Sequence, residues 1–122
     1  MEVKKRFLRL VTCVSIIGMS FVTVFAASSL TQKTTVSAGF GSAVVQCKGT
    51  YYPSGNTRWS RTWGTVSTSG LKSTYITSTM SVPTDKLMNT TGTINMTGND
   101  YQSKAIQVTF KYKYNGSSVV KN

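Results

Sequence analysis

AIQVTFKYKY, residues 105–114, alternates from end to end. Ile106, Val108, Phe110, Tyr112 and Tyr114 fall on one side of an extended chain; Gln107, Thr109, Lys111 and Lys113 fall on the other. A period of two over ten residues is the pattern of a half-buried strand with one wet face. Asn115-Gly116 follows at once, and both residue types tolerate positive φ. A tight type I′ hairpin is therefore expected, returning through SSVVK to a short edge strand that ends in Lys121.

The same period recurs upstream. Ile94 and Met96 share one face, bounded by Gly92 and Gly98. Ile76, Met80 and Val82 share another before Pro83-Thr84-Asp85 breaks the strand, and LMNTTG (87–92) has room for one helical turn. RWSRTWGTV (58–66) reads as a strand entered through the turn Pro53-Ser54-Gly55-Asn56. Ala43, Val45, Cys47 and Tyr51 hold one parity; Val36, Ala38 and Phe40 hold the other, with the slip at Gly39-Phe40-Gly41, as a bulge or tight bend produces. About seven strands with frequent turns predict a small all-β antiparallel β-sandwich at residues 35–122, with a small β-barrel as the alternative. Residues 27–34 are polar and read as a loose segment.

The start of the chain has a different character. Lys4, Lys5, Arg6 and Arg9 precede an uncharged stretch over residues 10–25, and Val24-Phe25-Ala26 places small residues at −3 and −1 of a cut after Ala26. This is the layout of a helical, cleaved signal peptide at residues 1–26, and it predicts a secreted protein. The uncharged stretch is shorter than the roughly 20 residues of a membrane span and is interrupted by Thr12, Ser15, Gly18 and Ser20.

Beyond Ala26 stand eight lysines with Arg58 and Arg61, against Asp85 and Asp100 alone, a net charge of +8 over 96 residues. Leu, Ile, Val and Phe supply only 16 of those residues; six Tyr, two Trp and three Met raise the large apolar set to 27, which predicts a folded but thin core. Cys47 is the one cysteine left, so no internal disulfide can form. Its parity points it inward; an unpaired exported cysteine also raises the alternative of a Cys47-linked dimer.

Catalytic chemistry finds little to work with. The sequence has no histidine, the usual general base near neutrality, and Cys47 therefore has no such partner to activate it. Asp85 and Asp100 both lie in turn sequences, where Asp serves the backbone. No metal ligand set and no cofactor motif stand out, so a non-enzymatic protein is expected. Sequons at Asn89, Asn95 and Asn115 matter only in a host that glycosylates its exports.

What remains is charge and aromatics. The field of a strongly basic exported domain attracts an anionic cell-wall polymer, a glycan or a membrane surface; nucleic acid is the weaker expectation, because export removes the chain from it. YYPSGNTRWSRTW (51–63) offers candidate binding residues: Tyr52, Arg58, Trp59, Arg61 and Trp63. Trp59, Arg61 and Trp63 share one face of a strand, and two readings are open. An exposed face makes a Trp-Arg-Trp ladder, with the guanidinium against the indoles; an inward face makes the tryptophans core and leaves Arg61 in need of a partner. Three functions follow: a binding and adhesion module for anionic envelope polymers or glycans, a bacteriocin-like antibacterial protein or toxin, or a structural subunit that assembles edge to edge.

Overall fold

The computed structural model describes residues 27–54 and 58–122. They form seven strands: β1 (Ser28–Ser37), β2 (Ser42–Tyr51), β3 (Trp59–Ser69), β4 (Leu71–Thr84), β5 (Leu87–Gly98), β6 (Ser103–Tyr114) and β7 (Val119–Lys121). Two antiparallel sheets result, one in the order β1-β2-β3 and the other β4-β5-β6-β7. Each is a simple meander, and the chain changes sheet at Gly70, whose positive φ of 74° makes the corner. The sheets pack face to face in a sandwich-like, all-β fold, not joined into a barrel. The expected signal peptide lies outside the described residues.

Alternation decides which side of each strand is buried. On β5 the inward set is Met88, Thr90, Gly92, Ile94, Met96 and Gly98, all buried, while each residue between them is half-buried. On β6, Phe110, Tyr112 and Tyr114 are buried and Lys111 and Lys113 exposed, as the period predicts. On β2, Ala43, Val45, Cys47 and Tyr51 are buried. These faces meet in two clusters. One gathers Tyr51, Trp59, Met88, Phe110, Tyr112 and Tyr114 around Cys47; the other gathers Val36, Val45, Ile94 and Met96, and Trp63 packs against both. Burying a single side chain of this size contributes about 1.5–3 kcal/mol, so a few aromatics carry a core poor in Leu and Ile.

Large rings fit between the sheets because glycines face them. A Cβ on Gly49 would come within 2.7 Å of the Tyr112 ring, and one on Gly92 within 2.8 Å of the Trp63 indole. A glycine inside a strand often marks such a close approach. Hydrogen bonds pin the open sides. Gln32 Nε2 donates to Lys111 O at 2.9 Å and Val119 N to Ser28 Oγ at 2.9 Å. On the opposite side Arg61 reaches Ser78, described below.

Four local expectations are corrected. Residues 28–34 are not loose: they belong to β1, which pairs with β2 from Ser28↔Tyr51 to Ser37↔Ser42, and pairing satisfies a polar backbone without needing apolar side chains. Of the two forms expected for the slip at residues 39–41, the structure has the tight bend, between β1 and β2, with Gly39 at φ 90° and Ala38 N donating to Gly41 O. No helical turn forms at residues 87–92; β5 starts at Leu87, because Met88 and Thr90 continue its inward set. Met80 and Val82 are exposed because β4 is an edge strand of its sheet, although Met80 pairs with buried Thr90 on β5. The last hairpin is not a two-residue turn. Asn115 Oδ1 accepts from Ser117 N and Ser118 N, making a four-residue loop in which only Gly116 has positive φ. The turn expected at residues 53–56 lies partly outside the described residues.

Candidate functional site

Trp59, Arg61 and Trp63 do share a face of β3, but that face looks toward the other sheet. Trp59 is only 2% exposed; its ring meets Tyr51 edge-on, and its Nε1 donates to Asp85 O at 3.0 Å. Trp63 is half-buried, stacked on Phe110 with centroids 5.2 Å apart. Its Nε1 donates to Thr90 Oγ1 at 2.9 Å, and that hydroxyl donates to Thr79 O at 2.8 Å. The chain Trp63–Thr90–Thr79 satisfies a hydroxyl that would otherwise be stranded in the core. The exposed Trp-Arg-Trp ladder is therefore corrected: the tryptophans are core residues.

Arg61 escapes burial without an acid partner by sitting at the mouth between the sheets. Its Nη2 donates to Ser78 O at 3.1 Å and its Nε to Ser78 Oγ at 3.2 Å. It is half-buried, and its charge meets an edge carbonyl of β4 in place of a carboxylate. Arg58 is a clamp at the same end as Trp59. Its Nη1 donates to Pro53 O at 3.0 Å and to Tyr51 Oη at 3.3 Å, and it lies 3.8 Å from Asp85 Oδ2. Both members of that ion pair are well exposed, so it contributes at most about 1 kcal/mol. Tyr52, 40% exposed, stands on the other face from Tyr51 and joins neither cluster. The five expected residues thus make no single surface.

Cys47 is fully buried. Burial pushes its thiol pKa up, and that outweighs the hydrogen bond from Tyr112 that acts the other way. Cys47 faces inward, as its parity predicts, and a Cys47-linked dimer would require opening the core. Tyr112 donates to Cys47 O at 2.6 Å, and burial raises its phenol far above the usual range. The two carboxylates are held apart. Asp85 sits in the turn before β5 and Asp100 in the turn after it, separated by a 12-residue strand, a distance of about 40 Å. Asp100 bonds Gln102, which holds its carboxyl below the usual range.

The surface offers two other features. The first is a cleft of about 350 Å³ between β1 and β6, lined by Gln32, Lys33, Thr34, Thr109, Phe110, Lys111, Lys121 and Asn122. It exists because β7 is short. β7 pairs β6 only from Tyr112 to Tyr114, so among the described residues no strand lies beside the rest of that β6 edge. Three lysines line the cleft and no Asp or Glu does; a carboxylate at Asn122 would cancel one of the three. The second is the outer face of the four-stranded sheet. Pairing sets its residues in rows: Tyr75, Asn95 and Ala105; Thr77, Thr93 and Gln107; Thr79, Thr91 and Thr109; Ser81, Asn89 and Lys111. Thr91 and Thr109 hydroxyls bond each other at 2.8 Å.

Sequence reasoning missed the cleft. The alternation of Lys111 and Lys113 is visible in the sequence, but the packing of β1 over β6, which lets Lys33 and Lys111 line one cleft, is encoded by no local signal. No protein-family model matches the sequence, and no curated protein or solved structure matches the chain.

Proposed function

We propose that this chain is an exported, non-enzymatic binding module that holds an anionic cell-envelope polymer in the cleft between β1 and β6. The observation that carries this reading is a cleft lined by Lys33, Lys111 and Lys121 and, among the described residues, by no acidic side chain. Lys113 extends the charge along the outer face of β6. Cations gathered at a concave site between low-dielectric walls focus the field more than the same charges spread out. Export rests on the N-terminal layout, and a polymer outside the cell is the polyanion such a protein meets.

The test is a charge-matched pair of triple variants. Lys33, Lys111 and Lys121 are changed to Ala in one; Lys48, Lys72 and Lys86, none of which lines the cleft, are changed to Ala in the other. Both lose the same net charge. Binding of inorganic polyphosphate at low salt is expected to fall about tenfold or more in the first and far less in the second, since each phosphate contact that is lost forfeits the release of its condensed counterions. Equal losses would mean that net charge alone acts and the cleft does not.

A second reading has a specific observation behind it. β4 is a 14-residue edge strand with one ladder partner, and no charged residue occurs from Ser73 to Thr84. Long uncharged edges invite pairing with another copy. Pro83 and the Arg61 contact to Ser78 O blunt part of this edge. Light scattering decides: concentration-dependent growth in size supports assembly, and a strict monomer removes it.

A further inference from the structure

The outer face of the four-stranded sheet also carries a large aromatic that the fold does not use. Tyr75 is 63% exposed and stands in the first half of β4, in the row with Asn95 and Ala105. Beside it is a trough of about 300 Å³, to which Asn95, Thr97, Ser103 and Ala105 contribute. Ala105 is short, which leaves the space open. Asn95 Nδ2 donates to Thr93 O at 3.3 Å, which leaves its Oδ1 as an acceptor. A second, smaller trough of about 140 Å³, lined by Thr77, Thr79, Thr91, Thr93 and Gln107, continues in line along the strands. Past it the face ends in Lys111 and Lys113. From Ala105 to Lys111 is a span of about 20 Å.

An exposed aromatic ring beside fixed amides and hydroxyls offers what a sugar ring needs: a flat apolar surface for its C–H face and donors and acceptors around its rim. A cationic end to the same strip favours acidic sugars. We infer that this strip binds an acidic polysaccharide lying along the strands, with a pyranose ring stacked on Tyr75 and its carboxylate or sulfate groups drawn toward Lys111 and Lys113. Stacking uses the C–H face common to pyranoses, so the site is tolerant of sugar identity. This rests on the polyanion-binding reading above and deepens it by naming the polymer class.

Alginate, a uronic-acid polysaccharide, and inorganic polyphosphate, a polyanion without sugar, separate the two. The protein is expected to bind both at low salt. Tyr75→Ala is expected to weaken alginate binding about five- to tenfold, the loss of one stacking contact, and to leave polyphosphate binding unchanged. Tyr75→Phe is expected to retain alginate binding, because the ring acts and the hydroxyl does not. Circular dichroism and urea unfolding check that the fold is intact in each. Equal effects of Tyr75→Ala on both polymers, or no effect on either, overturn the sugar site while the cleft reading stands. Failure of the wild-type protein to bind either polymer overturns both.

Discussion

The indole of Trp63 lies across the bare backbone of Gly92, so that a single added carbon at Gly92 would sit 2.8 Å from three ring atoms. This contact joins the three-stranded sheet to the centre of β5. Gly92→Ala is expected to destabilise the protein by about 1–3 kcal/mol through overpacking. The urea midpoint measures it, and Trp63→Phe in the same chain should recover part of the loss. An unchanged midpoint would mean that the ring is not there.

Trp59 and Tyr75 test the division between core and surface. Trp59→Ala removes a buried ring and the donor to Asp85 O, and should cost about 3–5 kcal/mol, close to the whole stability of a domain this thin. Tyr75→Ala, on an exposed position, should shift stability by no more than about 0.5 kcal/mol. Thermal unfolding of both variants makes the comparison.

Alkaline pH should unfold the protein through two groups in one cluster. Cys47 and Tyr112 both have pKa values raised above their ordinary 9.0 and 10.0, chiefly by burial. The fold favours their neutral forms, so the stability they contribute is complete below those ordinary values and declines as pH rises above them. Unfolding midpoints should therefore hold steady below pH 9 and fall above it. Tyr112→Phe should cost about 1 kcal/mol at neutral pH, the hydrogen bond to Cys47 O, and make the alkaline decline shallower.

Cys47 supplies a direct probe of the closed core. A thiol reagent should label it in urea and label it far more slowly in the native protein, because a buried thiol with a raised pKa offers little thiolate to solvent. Non-reducing electrophoresis should show a single chain. A covalent dimer formed under native conditions would contradict the burial.

Arg61→Ala should cost about 1–2 kcal/mol by leaving Ser78 O without its donor. It also bares the middle of the β4 edge. Increased association of this variant in sedimentation would identify Arg61 as the guard of that edge.

Period-two patterns at Ile106–Tyr114 and Ala43–Tyr51 made the strand faces legible, because alternation is a local property of an extended chain. Polar β1 was harder to read: Ser, Thr and Gln carry no apolar period, and that strand exists through its pairing with β2. Gly92 reads in the sequence as a strand boundary, and no local signal marks Gly49; both lie inside strands against rings from the other sheet, and only tertiary packing names those partners. The same holds for the site. Trp59, Arg61 and Trp63 were correctly placed on one face, but parity alone does not say which face is outside. An inward Arg61 needs a partner, and the carbonyl and hydroxyl of Ser78 at a sheet edge supply it. Lys33 and Lys111 lie far apart in the chain, and their sharing of one cleft follows from the stacking of two sheets.

The salt dependence of polyphosphate binding tests the lysine cleft most directly. Each phosphate contact neutralised by a lysine adds about 0.7–0.9 to the slope of log K against log salt for nucleic-acid polyanions. The wild-type protein should show a slope steeper by about two to three than the chain with Lys33, Lys111 and Lys121 changed to Ala, and the Lys48, Lys72 and Lys86 variant should keep the wild-type slope. Identical slopes in all three proteins would contradict the cleft as the binding site.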